Sequence, residues 1–304
     1  MNRRAHSLLT AGVVLCTGVL LSSFVGWGFK QRVESEAADR FAFVCEQITQ
    51  SIHRRLEAVE LILRGGAAVF AASESVDRQE WKSYVDTLQA MNELPGLRGV
   101  GFAEHLPVKL IDRHHATVRA DGFPDYAIHP ADEARTVFAP VTYIEPFSAS
   151  NRHSLGFDLF SVPETRSAME KACDTSDAAL TGRLRLPLAD TEGKKRNGAL
   201  MFIPVYRKDA PKETFDERSQ ALIGWTFSPL LQDDLINGIL EPWDQQEGAT
   251  LDLEIRDGLD RASATPLFDG KTGHTASADS LFYQSRIIDF NGRQWLLEFD
   301  RTTT

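Results

Sequence analysis

The chain has 304 residues and a net charge of −10, with 42% hydrophobic and 25% charged residues. That acidic balance excludes nucleic acid as the main partner, because phosphate binding needs a basic face. The three cysteines, Cys16, Cys45 and Cys173, share no metal-ligand spacing. A zinc site or disulfide framework is thereby excluded, leaving isolated thiols or a Cys45–Cys173 bridge.

Residues 5–29, "AHSLLTAGVVLCTGVLLSSFVGWGF", contain no Asp, Glu, Lys or Arg. As a helix this run is about 37 Å long, enough to cross a bilayer. It is longer than a signal-peptide core and ends in interface-seeking aromatics. The expectation is an uncleaved anchor, with Arg3 and Arg4 keeping the N-terminus cytoplasmic and everything after residue 30 outside. From 31 to 72 proline is absent, and Phe41, Val44, Ile48, Ile52, Leu56, Val59 and Leu63 step by three or four. That is one apolar stripe on a long helix. It packs on its own domain, or pairs with its twin as the stalk of a parallel homodimer.

"RQEWKSYVDTLQAMNE" predicts a second helix, stopped near Leu94-Pro95-Gly96. Residues 97–107 read as a strand, 108–121 as a helix stopped at Gly122, and 135–146 and 154–160 as strands. Ser161 and Glu164 then form the capping pair of a helix running to about Ser176. Strands are predicted at 179–186, 198–206 and 221–227, with the basic loop residues Lys194, Lys195 and Arg196 between the first two. A helix from "SPLLQDDLINGIL" leads to a second sheet, where Asn291-Gly292 marks a two-residue hairpin. The fold class is α+β, without the strict βαβ alternation of a dinucleotide-binding fold.

One residue stands out. Asp158 interrupts the apolar run "LGFDLF", where a charge is costly unless paired. Either it caps the following helix or it hooks a ligand through ring N–H or amino groups. On a strand, Gly156, Asp158 and Phe160 share one face, and the glycine leaves room for a ligand. Tyr143, Phe157, Met201, Phe202 and Tyr206 are the candidate aromatic and apolar walls. His105, His114, His115 and His129 read as surface histidines, since the adjacent pair points apart on a helix. Glu145 and Asp158 admit a glycosidase reading, but nucleophile-elbow, Walker and dinucleotide fingerprints are all absent. No catalytic, metal or cofactor group is expected.

The anchor, the long helix, "LPGLRGVGF", "LMFIPVY" and the string from Pro140 to Leu186 together resemble the CHASE domain. This is the extracellular sensory module of membrane histidine kinases and nucleotide cyclases. The resemblance implies a stalk helix carrying two PAS-like sheets, with domains at 1–30 (anchor), 31–72 (stalk), 73–228 (membrane-distal, ligand-binding) and 229–304 (membrane-proximal). It implies that Asp158 holds a purine-like, cytokinin-type or other small ligand, helped by backbone groups of Leu180 and its neighbour Thr181 in "ALTG". It also implies a relay to a histidine kinase or diguanylate cyclase, which makes this chain a partial receptor or a stand-alone sensor. An anchored hydrolase and a ligand-free scaffold are the alternatives.

Overall fold

The computed structural model describes residues 3–88, 94–131, 134–189, 195–244, 250–270 and 280–302. Side chains are described from residue 15 on, except 187–189, 195, 242, 244, 250, 280–281 and 302. The chain forms two compact units, Met1–Gln47 and Ile48–Thr304. Helix α1 (Arg3–Ala72) supplies the first. There Leu15, Val19, Leu20, Leu21, Phe24, Val25, Trp27 and Phe29 all stand exposed. Among the described residues no helix is long and apolar enough to cross a membrane. Positions 5–14 of the expected anchor lie outside the residues whose side chains are described.

In the second unit the elements follow in order: α2 (Arg78–Thr87), β1 (Val100–Glu104), β2 (Leu106–Pro107), α3 (Ile111–Ala120), β3 (Val137–Phe138), β4 (Val141–Glu145), α4 (Ala149–Arg152), α5 (Pro163–Thr175), β5 (Ala179–Leu180), β6 (Leu184–Ala189), β7 (Lys195–Tyr206), α6 (Phe215–Ala221), β8 (Leu222–Leu231), α7 (Gln232–Asp244), β9 (Thr250–Asp257), β10 (Thr265–Asp269), β11 (Ser280–Phe290) and β12 (Arg293–Thr302). Every strand pairing is antiparallel. The larger sheet runs β4-β1-β8-β7-β5, with β6 also on β7. The smaller runs β10-β9-β12-β11, and β2-β3 is a separate ribbon.

Period-2 alternation divides the larger sheet into two faces. One meets α1, whose stripe Ile48, Ile52, Leu56, Val59 and Leu63 is buried to 1% exposure or less. Each such side chain contributes about 1.5–3 kcal/mol. Thr226 donates its hydroxyl to the Leu63 carbonyl at 2.9 Å, and the Trp81 ring of α2 stacks beside Tyr143 on this side. The other face carries Trp225, Phe227, Leu200 and Phe202 against Met169, Ala172 and Cys173 of α5. A register shift between Phe102 and Ala103 leaves Thr142 without a partner across the strand pair. Val141 and Ile144 therefore both turn to the α5 side. In the smaller sheet Leu253, Ile255, Leu297 and Phe299 form the buried face.

Helices α3 and α5, strands β7 and β8, and the predicted hairpin are present. Asn291 and Gly292 both have positive φ, 48° and 79°, and Phe290 pairs with Arg293 across the turn. Three expectations are corrected. Residues 154–160 form no strand: Gly156 takes φ 81°, which breaks the pleat, and a 3-10 turn follows at Leu159–Ser161. Ser161 closes that turn, so the residue capping α5 is Val162, which gives no side-chain bond. Residues 228–231, expected to open the helix of "SPLLQDDLINGIL", instead complete β8, so α7 starts at Gln232. Helix α6, opened by a Thr214–Glu217 box, and strand β10 add to the expected elements. The tail of the second predicted helix (89–93) and Lys194 lie outside the described residues.

Candidate functional site

The α5 face holds a partly open cavity of ≈ 150 Å³. Its apolar walls come from four sources: Val141 and Ile144 of β4, Phe157 and Leu159 of the turn segment, Leu184 and Leu186 of β6, and Leu200 and Phe227 of the central strands; the exposed Arg185 of β6 also lines it. The Thr165 hydroxyl on its border already donates to the Val162 carbonyl at 2.8 Å. Ser154, 9% exposed, brings the other hydroxyl. A largely apolar cavity of this size has room for a benzene-sized guest.

Asp158 lies beside this cavity without lining it, and is 0% exposed. Its Oδ1 accepts the Ala139 N–H at 2.7 Å and the Phe160 N–H at 3.1 Å, while Oδ2 pairs with Arg135. The Asp158 N–H donates to the His129 carbonyl at 2.8 Å. The acid thus caps its own 3-10 turn and ties three segments together. Arg135 escaped the sequence reading, because a partner 23 positions upstream leaves no local signal.

Phe157 lines the cavity. Phe202 shares the cavity face, its ring 6.1 Å from Phe227, and Tyr206 donates to the Cys173 carbonyl at 3.1 Å on the same side. Tyr143 and Met201 point the other way. Tyr143 donates to the Val76 carbonyl at 3.0 Å beside Trp81, and Met201 alternates with Leu200 and Phe202 along β7. A Cβ on Gly156 would sit 2.5 Å from the Ala127 carbonyl oxygen, so that glycine makes room for backbone. Leu180 donates its N–H to the Asn291 carbonyl at 3.2 Å. The Thr181 hydroxyl donates to the Gly182 carbonyl at 2.8 Å and accepts the Leu200 N–H at 2.9 Å.

The histidines correct the surface expectation in one case. His114 is buried, with Nδ1 2.8 Å from Glu104 and Nε2 2.7 Å from the Tyr126 hydroxyl. Burial raises the Tyr126 pKa, which keeps its hydroxyl protonated as a bond donor. Glu145, of the glycosidase reading, accepts the Phe147 N–H at 2.9 Å, and burial raises its pKa. Cys45 and Cys173 are buried thiols, and no disulfide joins them.

The CHASE domain family model matches residues 74–268, which takes in both sheets' first strands, α5 and every cavity residue named above. Among curated proteins nothing matches. Ten solved chains match, among them the following two. The periplasmic sensory domain of the Campylobacter jejuni chemoreceptor Tlp1 has a TM-score of 0.49 at 8% identity, covering 90% of this chain and 94% of that one. An extracellular ligand binding receptor from Desulfohalobium retbaense DSM5692 has a TM-score of 0.46 at 12% identity. The match covers 84% of this chain and 40% of that one.

Proposed function

This chain belongs to the CHASE domain family, and from that premise we propose that it is the extracytoplasmic ligand-sensing region of a membrane signalling receptor. The observation that carries the reading is the largely apolar ≈ 150 Å³ cavity on the α5 face. An unfilled space of that size is costly in a core that gains nothing from it.

In this proposal Phe157, Leu200 and Phe227 touch the ligand. Asp158, Gly156, Leu180 and Thr181 frame the cavity through the hydrogen bonds and close backbone approach described above. The ligand is small and mostly apolar in its buried part. Residues 5–29 anchor the chain in the membrane, supported by the exposed apolar run Leu15 to Phe29. Helix α1 acts as a stalk in a homodimer and relays occupancy to a histidine-kinase or diguanylate-cyclase output module. A ligand does this by binding one stalk arrangement better than the other.

The test is thermal unfolding of the purified chain in detergent against a panel of small aromatic, aliphatic and purine-like compounds. A true ligand at 100 times its Kd adds about 2.7 kcal/mol of stability. For a unit of this size that raises Tm by roughly 5–11 °C. Leu200→Trp, which fills the cavity, should fold and lose the rise. The reading fails if no compound shifts the wild type, or if the filled variant still responds.

A further inference from the structure

The α5 face carries a second compartment that the apolar cavity does not include. It is an open groove of ≈ 330 Å³, floored by Trp225, Phe160 and Leu222, with Phe215 at its rim. Phe215 is 54% exposed, an unusual position for so large an apolar side chain in a helix that is otherwise polar. His105 stands edge-on to Trp225 at 5.8 Å, and burial lowers its pKa, so it adds no charge at neutral pH.

The charged groups are laid out along α5. Arg166, Glu170 and Asp174 are spaced at one helical turn, and all three line the groove. Arg166 donates Nε and Nη2 to the Phe160 carbonyl, leaving Nη1 without a protein partner among the described residues. No ion pair joins Arg166 to Glu170, and the Glu170 carboxylate has no partner among the described residues either. The groove's other cation, Arg135, is committed to Asp158. A plain anion entering here meets the two carboxylates, and a plain cation meets Arg166. Only a ligand carrying both charges satisfies both ends.

We propose that this groove binds a zwitterionic α-amino acid with an apolar or aromatic side chain. Its carboxylate takes the free N–H of Arg166, its ammonium takes Glu170, and its side chain lies on Trp225 and Phe160. The volume lies within the range of about 300–1,000 Å³ usual for small-molecule sites.

Calorimetric titration of the whole purified chain in detergent tests this with three probes of one skeleton: L-phenylalanine, 3-phenylpropanoate and phenethylamine. L-Phenylalanine should bind at least roughly tenfold tighter than either analogue, since each lacks one charge-assisted bond. Glu170→Gln should erase its advantage over 3-phenylpropanoate, and Arg166→Gln its advantage over phenethylamine. Arg166 also holds the Phe160 carbonyl, so if that variant unfolds, the substitution at the exposed Glu170 decides between the outcomes. The cavity-filling Leu200→Trp should leave amino-acid binding unchanged. The proposal is overturned if L-phenylalanine does not bind, if either analogue matches it, if Glu170→Gln leaves its preference intact, or if Leu200→Trp abolishes it.

Discussion

Removing the Asp158 carboxylate separates a frame from a hook. In the folded chain its oxygens accept two backbone N–H groups and pair with Arg135. Asp158→Ala takes the Asp158 carboxylate away from the Arg135 guanidinium and removes the acceptor of two N–H groups. Breaking one side of a buried pair costs about 3–5 kcal/mol, and the orphaned N–H groups overlap with that figure rather than adding fully to it. Arg135 keeps 18% of its side chain in water, which places the loss toward the lower end. Asp158→Asn keeps an acceptor for both N–H groups and gives up the charge, so it should cost about 1–3 kcal/mol. Urea unfolding followed by tryptophan fluorescence reads both. At about 2–4 °C per kcal/mol, Asp158→Ala should lower Tm by roughly 6–20 °C. The reasoning is refuted if Asp158→Ala unfolds at the wild-type urea midpoint while ligand binding disappears. That result would make Asp158 a ligand hook.

Gly156→Ala should destabilise by about 1–3 kcal/mol in the same assay, because φ 81° strains any other residue and the new methyl would meet the Ala127 carbonyl oxygen at 2.5 Å. Asp234 gives a pH prediction. Burial pushes its pKa up, but its bonds to Arg196 and Arg98 outweigh this and hold the pKa below the ordinary aspartate value. A carboxylate with a depressed folded pKa contributes stability above its unfolded value, about 3.9, and loses it as pH falls through the folded value. Asp234→Asn should therefore lower the urea midpoint at pH 7, with the gap closing below about pH 4. A gap that persists undiminished at pH 3 would rule out the ion pairs as its source.

Local signals made much of this fold legible. The α1 stripe follows from spacing alone, since Ile48, Ile52, Leu56, Val59 and Leu63 can meet one neighbour only on a helix. The Asn291-Gly292 turn follows from the two positive φ values it requires. The loss of the strand expected at 154–160 has an equally local cause. "SLGFDLF" alternates like a strand, but Gly156 is there because its backbone must enter the left-handed region against Ala127. Sheet faces are different. Met201 and Phe202 are neighbours on β7, so the alternation that predicts the strand also forbids both from walling one side of it. Which of them meets α5 depends on packing across 56 residues of sequence, as in the Trp225 N–H bond to the Met169 carbonyl.

The turn at Asp158 also explains why a charge belongs in an apolar run. Phe157 and Leu159 face the apolar cavity, while Phe160 and the Arg135 that pairs with Asp158 line the groove. The segment is therefore a partition between an apolar cavity and a charged groove. No regular strand holds this partition; backbone hydrogen bonds to His129, Ala139 and Val141, with isolated bridges at His129 and Pro140, fix it instead. Its backbone groups still require partners once buried. A carboxylate at its centre supplies two acceptors to neighbouring N–H groups and a counter-charge to Arg135, which a neutral side chain of that size does not match. The acid adds side-chain acceptors for Ala139 and Phe160 to the backbone bonds that already hold this irregular segment between two compartments.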